Sequence, residues 1–170
     1  MRDATTPQWS PTMHPNEQLI HRFYESFAKR DAEGMAACYH ADVKFSDPVF
    51  VDLKGSEAGD MWRMLTERAS DLVIRHSGVR ADDSAGSASW EADYTFSQTK
   101  RFVKNRISAQ FKFKDGLIVD HRDTFDLWAW SKQALGPAGL LLGWTPLVQN
   151  KIRKQAGGGL AAWRQKHGRS

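Results

Sequence analysis

Two acidic residues stand where side-chain chemistry would be most useful. Asp47 closes the run CYHADVKFSDPVF (residues 38–50), in which alternating apolar and polar residues stop at Asp47-Pro48. Asp123 lies in HRDTFDL (121–127). It shares one strand face with His121 and Phe125 by the period-two rule. A carboxylate enclosed among Phe and Trp side chains is desolvated, so its pKa rises and it becomes a base suited to neutral pH. Asp47 is the first candidate for that role, its alternative being a turn residue, because Asp-Pro terminates strands. Asp123 is the second, with an ion pair to Arg122 or a neighbouring strand as its alternative. His121 suits either acid as proton shuttle or donor, or is simply a buried histidine satisfied by its neighbours. The six histidines are scattered without metal-ligand spacing, so no metal is expected, and proton transfer by a carboxylate needs no cofactor.

The elements around these residues follow from periodicity. Leu19, Ile20, Phe23, Tyr24 and Phe27 repeat on one helical face after Pro15, which predicts a first helix. Asp31 caps a second helix carrying Met35, Ala36, Cys38 and Tyr39, with Cys38 as a small buried hydrophobe. A strand through Val43, Phe45 and Asp47 follows, then Gly55 as a turn and Ser56 as cap of a third helix bearing Met61, Trp62, Met64 and Leu65. Strands are predicted over 72–80, 88–97, 103–114 and 117–126. Trp90, Ala92, Tyr94 and Phe96 share a dry face against Glu91, Asp93 and Thr95 on a wet one. The partner strand places Val103, Ile107, Ala109, Phe111 and Phe113 on its dry face, and Asp115-Gly116 makes a tight hairpin turn. The order is that of an α+β domain with helices packed on one face of a curved sheet. Tyr39, Trp62, Trp90 and Tyr94 are pocket candidates because their donors could meet a ligand oxygen, with ordinary core packing as the alternative.

The chain has 170 residues and 41% apolar content, enough for one domain with a proper core. Its lone cysteine makes a reducing cytoplasm the simplest compartment. No stretch approaches 20 apolar residues, and residues 1–14 are expected to form a disordered leader without the apolar run of a secretory signal. The net charge of +4 is unevenly spread: residues 127–170 hold seven Lys and Arg and no Asp or Glu. After a helix over 127–135, residues 137–170 form a basic amphipathic tail beyond the 15–136 domain. A helix started by Thr145-Pro146 is expected to end at Gly157-Gly158-Gly159. The tail admits three readings: contact with an anionic membrane, a lid or dimer arm over the pocket mouth, or extra helices packed on the sheet. Nucleic-acid binding is disfavoured, since the basic residues lack a known module or a stacking platform.

Residues 16–128 resemble the NTF2-like superfamily, the cone-shaped fold of ketosteroid isomerase, SnoaL-type polyketide cyclases and limonene-epoxide hydrolase. The segment NEQLIHRFYESFAKRDAEGMAACYHADVKFSDPVF is similar to the opening of ketosteroid isomerase, and the resemblance puts Asp47 at that enzyme's general base. There, a tyrosine and a neutral acid stabilise the enolate. The matching positions here are Phe23 and Ala109, neither of which donates a hydrogen bond. HRDTFDL resembles the strand of limonene-epoxide hydrolase that carries its catalytic aspartate, which implies that role for Asp123. The hydrolase's arginine has no counterpart in Trp90-Glu91-Ala92-Asp93. The resemblance thus implies a pocket lined by Phe23, Tyr39, Trp62, Trp90, Tyr94, Ala109, Phe111 and Phe125, with Asp47, Asp123 and His121 as its chemistry. Its occupant would be a small hydrophobic molecule, and the chain would form a homodimer through the sheet. An isomerase, cyclase or hydrolase is one expectation; a non-catalytic module that holds a lipophilic ligand is the other.

Overall fold

A computed structural model describes residues 12–170, so most of the expected leader lies outside the described residues. The elements run α1 (Pro15–Ala28), α2 (Ala32–Ala37), β1 (Tyr39–Ser46), β2 (Leu53–Lys54), α3 (Ser56–Arg68), β3 (Val73–Ala81), β4 (Ala85–Thr95), β5 (Phe102–Lys114), β6 (Leu117–Thr124), α4 (Leu127–Leu135), α5 (Pro137–Leu142) and α6 (Pro146–Lys166). The strands form one six-stranded sheet in the order β2-β1-β6-β5-β4-β3, with only β1 and β6 parallel. This is the α+β plan expected: helices on the concave face of a curved, mainly antiparallel sheet, with a helical C-terminal extension.

Alternation along the strands decides which side chains enter the core. Ala88, Trp90 and Ala92 of β4, Ile107, Ala109 and Phe111 of β5, and Ile118 and His121 of β6, which lie on either side of a register shift in the β5–β6 pairing, point inward and are buried against Phe23, Tyr24 and Phe27 of α1 and Met61, Trp62 and Met64 of α3. The outward residues are charged and pair across strands, Arg75 with Glu91 and Asp93, and Arg106 with Glu91. The β5–β6 hairpin turns at Asp115 and Gly116, both with positive φ, as its Asp-Gly sequence predicts.

Three local expectations are corrected. Asp31 caps α2 as predicted, accepting from the Gly34 N–H, but the helix ends at Ala37 and Tyr39 opens β1, paired with Ile118 of β6. Ser56 is the first residue of α3 rather than its cap; Gly55, at φ 55°, holds that position without a side-chain hydrogen bond. Most consequential, α6 runs straight through Gly157, Gly158 and Gly159 to Lys166. Each glycine weakens a helix by about 1 kcal/mol relative to alanine. Here Leu160 and Trp163, just beyond them, are buried in the main core, and that packing overrides the local preference.

Candidate active site

The antiparallel register of β5 and β6 sets the site's back wall. Ala109 faces Asp123 and Phe111 faces His121 across the hairpin, while the parallel register places Phe45 of β1 beside His121. His121 and Asp123 therefore enter the concave side together. Arg122 points away and pairs with Asp120, which removes the Arg122 ion-pair reading of Asp123.

A chain of hydrogen bonds converges on Asp123. The Trp62 indole N–H can only donate, and it donates to Tyr39 Oη at 2.8 Å. Tyr39 Oη lies 2.8 Å from His121 Nδ1, and His121 Nε2 lies 2.9 Å from Asp123 Oδ1. Tyr39 Oη accepts from Trp62 and has its own O–H to give His121 Nδ1, while a proton on His121 Nε2 is in place to be donated to Asp123 Oδ1. The Trp90 indole N–H adds a second donor to Asp123 Oδ1 at 3.3 Å. Asp123 Oδ2 has no hydrogen-bond partner among the described residues. His121 is wholly buried, so it reaches a ligand only through Asp123.

In front of this wall is a cavity of about 500 Å³. Asp47, Trp62, Trp90, Tyr94, Asp123 and Phe125 line it. The other predicted pocket residues stand behind: Phe23 packs on Tyr39, Trp62 and His121, Phe111 packs on His121, and Ala109 is buried opposite Asp123. Asp47 Oδ1 accepts the backbone N–H groups of Val49 and Phe50 at 2.7 and 2.6 Å. Those bonds favour the anion, yet burial outweighs them and pushes the Asp47 carboxyl up to about 7, with the Asp123 charge adding to the rise. Tyr94 Oη accepts the Trp130 indole N–H at 2.7 Å, which leaves its own O–H to donate; burial raises its pKa. Cys38 donates to the Gly34 carbonyl, and burial lifts its thiol to about 11, the state of an inert packing residue. Among the described residues, no three His, Cys, Asp or Glu side chains gather so as to hold a metal.

The remaining wall includes residues that the sequence did not single out for a pocket, although a lid over the mouth is one of the readings it offers for the tail. Trp130 of α4, Leu142 of α5, and Val148, Lys151 and Ile152 of α6 all line the cavity. Arg153 donates to the Pro48 carbonyl at 2.8 Å, tying α6 to the Asp47 loop. Asp60, on the apolar side of α3, is fully buried and binds Arg63, Arg164 and Arg169 at 2.9–3.1 Å. The only local signal for that clasp was an acidic residue in an otherwise apolar helical face.

A curved, mainly antiparallel sheet with helices packed on its concave face is the NTF2-like fold, shared by ketosteroid isomerase-like proteins. Residues 20–121 match the SnoaL-like domain family, and the chain belongs to it. Solved structures with the same fold include an LEH-like epoxide hydrolase of M. tuberculosis, 19% identical over 78% of this chain and 98% of its own, with a TM-score of 0.62. A candidate SnoaL-like polyketide cyclase from Jannaschia sp. CCS1 is 15% identical over 78% and 99%, with a TM-score of 0.64. A protein of ketosteroid isomerase-like fold from Catenulispora acidiphila DSM 44928, in complex with trimethylamine, is 12% identical over 76% and 98%, with a TM-score of 0.62. At these identities the likeness establishes the fold alone. A search of curated proteins finds no match to the chain.

Proposed function

We propose that the protein is a proton-transfer enzyme of the isomerase, cyclase or hydrolase kind, acting on a small lipophilic substrate. Asp123 is the base, and Asp47 and Tyr94 are the donors. The observation that carries this reading is the placement of two differently held carboxyls in one cavity. Asp123 is fixed at Oδ1 by His121 and Trp90, with Oδ2 left without a hydrogen-bond partner among the described residues. Asp47 is tied at Oδ1 by two backbone N–H groups and, with its carboxyl near 7, holds a proton on Oδ2 for much of the time at neutrality. The Asp47 carboxyl, raised by burial, suits a proton donor, and Asp123, held at Oδ1 by two side-chain partners, suits a base. Phe23 and Ala109 supply no donor on the inner side, so charge developing on a substrate oxygen is met from the Asp47 and Tyr94 side. A cavity filled by its own aromatic side chains would instead favour a passive binding module; Trp90 and Tyr94 border open volume here.

The test is a carbon acid that needs only a base and an apolar site, such as 5-nitrobenzisoxazole, whose ring opening is followed by absorbance. Asp123→Asn is expected to lower the rate by about 10²–10⁴-fold. Asp47→Asn, which keeps the Oδ1 acceptor but cannot give up a proton, removes any loss of rate as pH rises through about 7. An unchanged rate in Asp123→Asn would overturn the assignment of the base.

A further inference from the structure

We propose that α5 and the turn into α6 are a docking surface for an anionic lipid bilayer. Among the described residues nine large apolar side chains are exposed, and five of them fall within residues 140–147. Leu141, Trp144 and Leu147 are 69%, 61% and 81% exposed, and Leu140 and Leu142 are more than half so. Trp128 joins them, with its indole N–H on the Leu140 carbonyl. Such a patch on a water-soluble surface marks an interaction site. Leucine and tryptophan beside lysine are the composition of an interfacial segment.

The charge around the patch selects the occupant. Residues 127–170 contain no Asp or Glu. Of their cations, Arg153 turns to the Pro48 carbonyl, and Arg164 and Arg169 to Asp60. Lys151 and Lys154 make no ion pair among the described residues, and they follow Leu147 at four and seven residues, on the same side of α6. Lys132 sits 4.4 Å above the Trp128 ring. A second copy of the chain, related by a twofold axis, would bring these cations against their own counterparts. An anionic headgroup layer neutralises them. The helices lie on the surface rather than cross it, since no described helix is long and apolar enough to span a bilayer.

The patch also borders the cavity. Leu142, Val148 and Lys151 line that space, so a lipophilic molecule leaving the bilayer at α5 is already at its mouth. This delivery role rests on the proposed function; the docking does not.

Vesicle flotation tests the docking, using phosphatidylcholine alone and with about 30 mol% phosphatidylserine. The full chain is expected to bind the anionic vesicles at least about tenfold more tightly, with most of that preference lost at high salt. The combined variant Leu141→Gln, Trp144→Gln, Leu147→Gln, confined to exposed positions, should lose at least about tenfold in binding. Lys151→Gln with Lys154→Gln should lose the preference for anionic vesicles. Equal binding of parent and triple variant, or equal binding to both vesicle types, overturns the proposal. So does a dimer in light scattering that the triple variant converts to monomer, since the surface would then seat a second copy. Asp123→Asn run in parallel separates the two readings: it disables the proposed base and should float like the parent.

Discussion

Asp47 is the residue whose environment makes the sharpest demand. Its carboxyl lies near 7 in the folded protein, because burial outweighs two short backbone hydrogen bonds; in the unfolded chain it returns to about 4. Between those values the folded state binds more protons than the unfolded state, so stability falls as pH rises from about 4 and the full cost is reached above about 7. Asn at this position keeps the oxygen that accepts from Val49 and Phe50 and removes the charge. Asp47→Asn is therefore expected to stabilise the protein at pH ~8, by about 2 kcal/mol after discounting for the partial exposure of Asp47. Thermal melts should show that gain shrinking toward zero as pH falls to about 4. A gain constant across the range would mean that the Asp47 carboxyl is not held near 7.

Elements whose shape depends on their own period were legible in the sequence; those that depend on distant partners were not. The dry and wet faces of β4 and β5, the Asp-Gly turn and the exact span of α4 follow from side-chain order within each segment. By sequence alone Tyr39 belongs to a helix, because it follows Met35 and Ala36 at helical spacing. Only the parallel pairing of β1 with β6, with its shift of register between Tyr39 and Lys44, turns the tyrosine onto His121. The two Asp residues and His121 were recognisable by type and position, but the Trp62–Tyr39–His121–Asp123 order was not, since it joins three elements. The seat of α5 is similarly hidden. Gly139 and Gly143 face Ser131 of α4 so closely that a Cβ on Gly139 would collide with the Ser131 backbone carbonyl, a contact that cannot yield as a flexible side chain would. Gly139→Ala should push α5 from α4 and cost about 1–3 kcal/mol, measured by urea denaturation. A variant as stable as the parent would show that the α4–α5 contact is looser than described.

At the scale of the molecule, the basic tail is part of the fold. Its charge does not stay with solvent: Arg164 and Arg169 reach the buried Asp60 of α3, which Arg63 also holds. Beside them Trp163 donates to Glu67 and stacks on His167 at 4.0 Å. Composition exposed the tail's charge and its apolar residues, yet gave no sign that the positive end would be drawn onto an acidic α3 about 100 residues earlier. This clasp fixes α6 over the cavity, so its loss should act there before it acts on the sheet. Arg164→Ala removes one partner and leaves the Asp60 carboxylate with Arg63 and Arg169, a local cost of about 1–3 kcal/mol. Hydrogen exchange is expected to quicken along α6, by about tenfold or more for that cost, while amides of β4 and β5 keep their protection. An apolar dye should then enter the cavity faster, since Val148, Lys151 and Ile152 are part of its wall. If α6 and the central strands instead lose protection together, the extension unfolds only with the whole domain, and access to the cavity cannot come from movement of α6 alone.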